Sequence, residues 1–268
     1  MLKRLMGIFS RTGGPVDLDA VVPGGKEGGH GDHWGCVLRT VDEARLVRYL
    51  VDITKQDNEP ERFGKDGLAF ISEAGPVRAR VLVRDNVMVS AYPDAAGGAV
   101  WPITVYDVVQ WSNGVEAQIL GECRGAAVRF FDTRYYANRD RYTPGETYDF
   151  HMGALAYKIG PAGALEAHSP DVGAAVSFKG AHAYMPADDP GADIDDIWFH
   201  SPLEGAPVAA QLAGQVLSGY PVIIALPEDF QMSLVAYAAP HALPDDPATI
   251  RPGDDITGYL WLHGCLAE

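Results

Sequence analysis

Two turns of the same kind open two long apolar runs: Pro144-Gly145-Glu146 precedes TYDFHMGALAY at residues 147–157, and Pro252-Gly253-Asp254 precedes DITGYLWLHGC at residues 255–265. Proline sets φ for the first turn position, and glycine accepts a positive φ at the second. The aromatic and aliphatic residues that follow are typical of strands. The sequence therefore predicts two long β-strands, which we interpret as equivalent strands of two similar β subdomains.

Turns and short apolar runs continue along the rest of the chain. Glycine and proline number 30 and 19 among the 268 residues, which is above their usual share and indicates many short elements. Strands do not alternate with long helices, which argues against a parallel doubly wound sheet. We predict a mainly β protein, an antiparallel barrel or sandwich of OB-like or Greek-key type with one N-terminal helix.

Local signals mark the helix and one hairpin. Thr40 and Glu43 have the spacing of a capping box, and apolar residues recur at helical spacing after them, so we predict a helix over residues 41–56. Asp85-Asn86 between two strand-like runs predicts a tight hairpin. In the first of these runs, apolar residues alternate with arginines, which predicts one core face and one solvated face carrying Arg78, Arg80 and Arg84.

Composition divides the chain into four parts. Residues 1–33 are rich in glycine and are expected to form a flexible tail and linker. Residues 34–111 form an α+β segment, residues 112–160 one β subdomain, and residues 161–268 a second β subdomain packed with 112–160 as one globule. Residues 1–11 are basic and amphipathic, so they predict a weak contact with a membrane surface; a frayed or docked terminus is the alternative.

Charge and cysteine content limit the classes of function. The net charge of −15 opposes binding to duplex DNA, which requires a clustered basic face. Three cysteines without a C-x-x-C pair indicate no disulfide framework, and no signal peptide precedes the first strand, so we expect a cytoplasmic protein that is membrane-peripheral at most. The common hydrolase, nucleotide and zinc-protease motifs are absent, so we predict no catalytic residue and no cofactor.

Two groups of residues have types that bind metals. His30, His33 and Cys36 lie within seven residues and offer the nitrogen and sulfur ligands that zinc prefers. Asp188, Asp189, Asp193, Asp195 and Asp196 form an acidic loop whose oxygens suit calcium. The alternative for both is a solvated loop, because neither matches a known ligand spacing. His263 and Cys265 share a strand face, where a buried, inert cysteine is expected.

The residues most typical of a ligand site lie between Arg124 and Tyr142. This segment is basic and aromatic within an acidic chain, and we predict that its ligand-binding side chains are Arg129, Arg134, Tyr136, Arg139 and Arg141. Arginine and stacked rings on a sheet bind single-stranded nucleic acid. The alternative is that the rings pack across strands and the arginines pair with acids. We also expect Arg134 and Tyr136 to share one partly exposed strand face.

Three functions remain open at this stage. The first is a non-enzymatic cytoplasmic β-rich protein that binds an unknown macromolecular partner through one sheet face. The second is a binder of single-stranded nucleic acid or nucleotide through the arginine and aromatic face. The third is an unrecognised hydrolase or metalloenzyme whose residues come together only on folding.

Overall fold

The computed structural model describes residues 33–40, 42–72, 75–162, 166–168, 175–187, 192–246 and 250–267. The protein is mainly β, with a closed five-stranded barrel and a separate four-stranded antiparallel sheet. The predicted fold class, including a barrel and an N-terminal helix, is confirmed.

The N-terminal part contains a 3₁₀ turn, one helix and the smaller sheet. The 3₁₀ turn spans His33–Cys36 and helix α1 spans Glu43–Ile53. The sheet has the order β1-β2-β3-β4, with strands β1 (Glu61–Phe63), β2 (Gly67–Ile71), β3 (Arg78–Arg84) and β4 (Val87–Asp94).

The rest of the described chain forms the larger sheet, a two-stranded sheet and two short helical elements. Its elements in chain order are β5 (Val100–Gln110), β6 (Ala117–Cys123), β7 (Ala126–Asp132), helix α2 (Tyr135–Asn138), β8 (Thr147–Pro161), β9 (Glu166–His168), β10 (Ala175–Ser177), β11 (Ala183–Pro186), β12 (Asp196–Pro202), β13 (Val208–Leu212), β14 (Gln215–Ile223), β15 (Ser233–Ala238), a 3₁₀ turn (Pro240–Ala242) and β16 (Asp255–Leu266). The strand order of the larger sheet is β11-β12-β16-β7-β6-β5-β8-β15-β14-β13, and β9 and β10 form the two-stranded sheet.

The two runs that follow the Pro-Gly turns are β8 and β16, and they pair with each other. Gly145 and Gly253 have φ of 92° and 86°, as the turn chemistry requires. The antiparallel pairing runs from Ile256 opposite Pro161 to Leu266 opposite Phe150, and it closes the barrel β5-β6-β7-β16-β8. Both strands contribute apolar side chains to the same barrel interior, so they belong to one barrel, and their equivalence in two subdomains stays a prediction.

Both faces of the barrel wall are buried where the N-terminal part covers it. Leu260 and Leu262 point into the barrel core, whereas Trp261 packs in a second core with α1 and β3. Strands buried on both faces have nearly continuous apolar sequences. This second core explains why β8 and β16 read as unbroken apolar runs.

The local predictions for the N-terminal part are largely confirmed. Helix α1 is present, but its N-cap is Asp42, whose carboxylate accepts the N–H of Arg45 at 3.1 Å, rather than Thr40. The hairpin at Asp85 and Asn86 is present, and both residues have positive φ, at 52° and 61°.

The predicted solvated face of β3 was wrong at Arg80. This side chain is 1% exposed, because β3 lies between α1 and the barrel. Its guanidinium Nε donates to Asp94 Oδ2 at 2.7 Å. A buried carboxylate thus replaces the water that the alternating pattern predicted.

Strand pairing also crosses the expected segment boundaries. Strand β5 pairs with β6 and β8, so residues 100–110 belong to the barrel rather than to the N-terminal sheet. The pairing of β8 with β16 joins residues 112–160 to residues 161–268. Residues 1–32 lie outside the described part of the chain. Within that part, no helix combines the length and the apolar character needed to cross a bilayer.

A substitution at Gly258 tests the close pairing of β16 with β8 that closes the barrel. A Cβ at this position would lie 2.0 Å from the carbonyl oxygen of Lys158 on β8, so Gly258→Ala must push the two strands apart. We expect the free energy of unfolding to fall by about 1–3 kcal/mol. Gly160→Ala, on β8 with open space around its Cβ, is the control and should change stability by less than about 1 kcal/mol in urea denaturation. Equal effects of the two variants would contradict the closure.

Candidate functional site

The outer face of β12 and β16 is arranged in three cross-strand rows. Asp196 lies opposite Trp261, Trp198 opposite Tyr259, and His200 opposite Thr257. Directly opposed residues of an antiparallel pair project from the same face of the sheet. The alternate residues of β12 and β16, such as Phe199 and Leu260, point into the barrel core, so these three rows face outward.

The two flanking rows are covered by other parts of the chain. The imidazole of His33 stacks on the indole of Trp261 with ring centroids 4.0 Å apart. At the other end, the ring of Phe178 meets the ring of His200 edge to face at 6.3 Å, and His200 is 1% exposed. Trp261 and His200 are thus removed from solvent.

The middle row is open to solvent. It begins on the edge strand β11 with Met185, which lies opposite Trp198, and continues through Tyr259 to Lys158 on β8. Met185 is 54% exposed, Tyr259 is 37% exposed and Trp198 is partly exposed. We call Met185, Trp198 and Tyr259 the open row.

A hydrogen-bonded cluster of acids and a histidine adjoins the open row. His33 Nδ1 lies 2.5 Å from the hydroxyl of Tyr157, which donates to Asp196 Oδ1 at 2.9 Å. His33 Nε2 lies 3.1 Å from Asp193 Oδ2. Asp195 accepts from Gln118 at 3.1 Å and from Trp261 at 3.0 Å. We call His33, Tyr157, Asp193, Asp195 and Asp196 the acid–histidine cluster.

Burial shifts the pKa values in this cluster. Burial and the charge of Asp196 raise the pKa of Asp195 to about 7. Burial alone would lower the pKa of His33, but the hydrogen bond to Asp193 and the charges of Asp196 and Asp195 raise it. Each carboxylate oxygen of Asp195 and Asp196 already accepts a hydrogen bond from the protein. The cluster therefore fastens the His33 turn to the barrel instead of presenting free carboxylates.

The structure brings together residues of the two predicted metal groups. His33 contacts Asp193 of the acidic loop and is linked to Asp196 through the Tyr157 hydroxyl, whereas His30, Asp188 and Asp189 lie outside the described residues. Cys36 is buried, and burial raises the pKa of its thiol well above the usual range. Within the described ranges, no group of three or more His, Cys, Asp or Glu side chains has an arrangement that would hold a metal ion.

The predicted ligand residues Arg134 and Tyr136 do not share a strand face. Strand β7 ends at Asp132 and Tyr136 lies in helix α2, so the expected geometry was wrong. Tyr136 is 4% exposed; its hydroxyl accepts from Arg80 at 2.7 Å and donates to Glu61 at 2.6 Å. Arg134 lies 3.6 Å from the same Glu61 carboxylate. Both side chains belong to an ion network between β1, β3 and α2.

The three other predicted arginines are separated and exposed. Arg129 points outward from β7, Arg139 follows α2 and lines a surface depression, and Arg141 reaches the side chain of Asn138 at 3.5 Å. The aromatic rings of the segment mostly face inward: Phe130, Phe131, Tyr135 and Tyr136 are buried. The segment is therefore mainly structural, and Arg139 is its member beside a concave surface.

His263 and Cys265 lie on the covered outer face of β16. His263 Nδ1 accepts the backbone N–H of Ala95 at 3.0 Å. The prediction that Cys265 is buried is confirmed, and burial raises the pKa of its thiol to about 12. A thiol in this state is a poor nucleophile.

The open row was missed in the sequence. Met185, Trp198 and Tyr259 are far apart in the chain, and only the register of three strands aligns them. One signal for this row was present in the sequence, namely Trp198 between the apolar residues Ile197 and Phe199. Side chains alternate along a strand, so if Ile197 and Phe199 face the core, Trp198 must face outward.

Comparisons with protein-family models, with curated proteins and with solved structures give no match for this chain.

The acid–histidine cluster predicts the pH dependence of stability. A raised pKa means that the folded protein holds a proton that the unfolded chain releases, so the contribution of Asp195 is full below about pH 4 and declines through about pH 7. The raised pKa of His33 acts in the same direction. We expect the free energy of unfolding to fall from pH 5 to pH 8 by at most about 1.4 kcal/mol per pH unit from each group, and the melting temperature to fall with it.

Asp195→Asn should flatten this decline in melting temperature, because the amide does not titrate. Asp229→Asn removes an exposed carboxylate and is the matched control. If both variants keep the wild-type slope, the cluster does not control the pH dependence.

Tyr136 tests whether the buried network supports the fold. Tyr136→Phe keeps the ring beside Phe63 but removes the acceptor for Arg80 and the donor to Glu61. We expect the free energy of unfolding to fall by about 1–3 kcal/mol. Tyr106→Phe also loses a hydroxyl bonded to a glutamate, but at a side chain that is 52% exposed, and should cost less than about 0.5 kcal/mol. Chemical denaturation of both variants measures the difference, and equal losses would refute a structural role.

Proposed function

We propose that this protein is a non-enzymatic binding protein whose open row contacts a protein partner. The observation that carries this proposal is the alignment of Met185, Trp198 and Tyr259 in one solvent-exposed cross-strand row. Tryptophan, tyrosine and methionine are enriched in protein interfaces, and tryptophan and tyrosine dominate their binding energy. A contiguous row of such side chains is more informative than single exposed apolar residues.

The scaffold around the row is suited to binding without rearrangement. Trp198 lies between Asp196 and His200 on β12, and both of these neighbours are buried. The flanking rows are therefore fixed by packing while the middle row remains accessible. A preorganised surface loses little conformational entropy when it binds.

We also propose that the barrel is OB-like, and its strand order supports this. Its five strands in chain order are β5, β6, β7, β8 and β16, and the fifth lies between the third and the fourth. The third and fifth are parallel, while the other neighbours are antiparallel. OB folds bind ligands on an outer sheet face, although fold alone does not define the ligand.

The other two functions have less support. Stacking of single-stranded nucleic acid needs exposed rings, and Phe130, Phe131 and Tyr136 are buried. A hydrolase needs an accessible acid or base, and the Asp195 and Asp196 oxygens are engaged by internal donors.

Three free, buried cysteines favour the proposed cytoplasmic location. The membrane contact of residues 1–11 stays a prediction.

Site-specific photo-crosslinking tests the open row. A benzophenone side chain at position 259 should give a discrete adduct in the native cells, because Tyr259 would lie within the interface. The same group at position 106 is the control, because Tyr106 is also an exposed tyrosine on the barrel and lies outside the row.

The adduct at position 259 should disappear when Trp198→Ser is added, while the melting temperature should change little because Trp198 is partly exposed. Adducts of the same size at positions 106 and 259, or an adduct that persists in the Trp198→Ser background, would refute the assignment of this face.

A further inference from the structure

A depression of about 220 Å³ opens beside the N-terminal sheet, away from the residues of the open row. Three cations line it, one from each of three chain segments: Lys65 in the β1–β2 turn, Arg84 at the end of β3, and Arg139 after α2. The other charged lining residues are Asp66 and Asp85. The lining therefore carries one excess positive charge in a protein whose net charge is −15.

Tight turns bring these side chains together. Gly64 has φ of 56°, which lets β1 turn directly into β2 and places Lys65 at the tip. Asp85 and Asn86 form the hairpin that follows Arg84. The N–H of Arg139 donates to the carbonyl of Tyr135 at 2.9 Å, so this residue continues the α2 turn.

The base of the depression is held by packing. Phe63 is 5% exposed, and its ring packs against the ring of Tyr136 at 5.1 Å. The guanidinium carbon of Arg84 lies 5.8 Å from the centre of the Phe63 ring. A cation over an aromatic face is oriented without being neutralised. The buried network at Tyr136 thus supports the base of the depression and, through Phe63, the position of Arg84.

Two of the three lining cations make no close ion pair within the described part of the chain. Among the described residues, neither Lys65 nor Arg84 has a carboxylate oxygen within 4.0 Å. Arg139 lies 3.5 Å from Asp140, a pair that is largely exposed to solvent. An exposed pair of this kind contributes little energy and exchanges readily. The three cations that line the depression thus have no buried ion-pair partner among the described residues, which leaves them available to an external anion.

We propose that this depression binds the phosphate group of a small phosphate monoester. The planar guanidinium group of arginine can donate two parallel hydrogen bonds to phosphate oxygens, and the lysine ammonium adds a compact positive charge to the site. The volume lies below the range of about 300–1,000 Å³ that holds drug-sized ligands, so it accommodates a phosphate group and a short substituent. The one excess positive charge of the lining attracts a phosphate dianion more strongly than a monovalent anion at the same distance.

The site is independent of the open row. Its residues belong to the N-terminal sheet and α2, and the proposal holds whether or not the barrel face binds a protein. The two can also be tested separately, because the variants below leave Met185, Trp198 and Tyr259 unchanged.

Isothermal titration calorimetry of the full chain with glycerol phosphate and with inorganic phosphate tests the site, at a fixed ionic strength set by sodium chloride. We expect saturable 1:1 binding, with the monoester binding at least as tightly as inorganic phosphate. Lys65→Ala with Arg139→Ala should weaken binding by at least about tenfold. Both of these side chains are exposed, so the fold should be retained.

Arg124→Ala with Arg129→Ala is the matched control, because it removes the same charge from exposed arginines outside the depression. This control should keep the wild-type affinity. Arg84→Gln should also lose affinity, and its melting curve separates this loss from unfolding. Absence of saturable binding, or equal loss in the control and in the depression variants, would overturn the proposal.

Discussion

The pairing of β8 with β16 is the constraint on which the rest of the structure depends. It closes the barrel, and it fixes which side chains of β16 point inward and which point outward. The inward set completes the barrel core, while Trp261 and His263 become the surface on which the N-terminal part docks. Because side chains alternate along a strand, a one-residue slip would exchange the two sets and abolish both cores.

Buried ionic groups fix how the N-terminal sheet meets the barrel. Asp94 accepts from Arg80 and from the backbone N–H of Ala96, so it anchors the segment between β4 and β5. Burial alone would raise the pKa of Asp94, but Arg80 and Arg78 lower it below its usual value. Replacing such networks by apolar residues often costs nothing in stability, whereas removing one partner is costly. The buried ionic groups around Asp94 therefore determine how the N-terminal sheet is positioned on the barrel.

The fold was more predictable than the candidate sites. Turn chemistry and apolar runs identified β8, β16, α1 and the hairpin at Asp85, because these features depend on a few neighbouring residues. Burial of Arg80 depends on a barrel wall formed by distant strands, so local alternation could not reveal it. The same holds for the open row, and for Arg139, whose neighbours Lys65 and Arg84 come from other turns. The arginine-rich segment was identified, but its rings are needed for packing.

Buried charges, exposed apolar side chains and unpaired cations all depart from the arrangement that stability alone would favour. Arg80 and Asp195 also break the rule that charges stay in water, yet hydrogen-bonding partners compensate each of them within the fold. Tyr259 and Met185 expose apolar area without such compensation, and Lys65 and Arg84 carry charge that no described carboxylate neutralises within 4.0 Å. Departures of this kind support the two proposals, because a sequence chosen only for consistency with the fold would have other residues there. An apolar row suits a protein surface and a cationic depression suits an anion, so the chemistry of each surface indicates its own ligand.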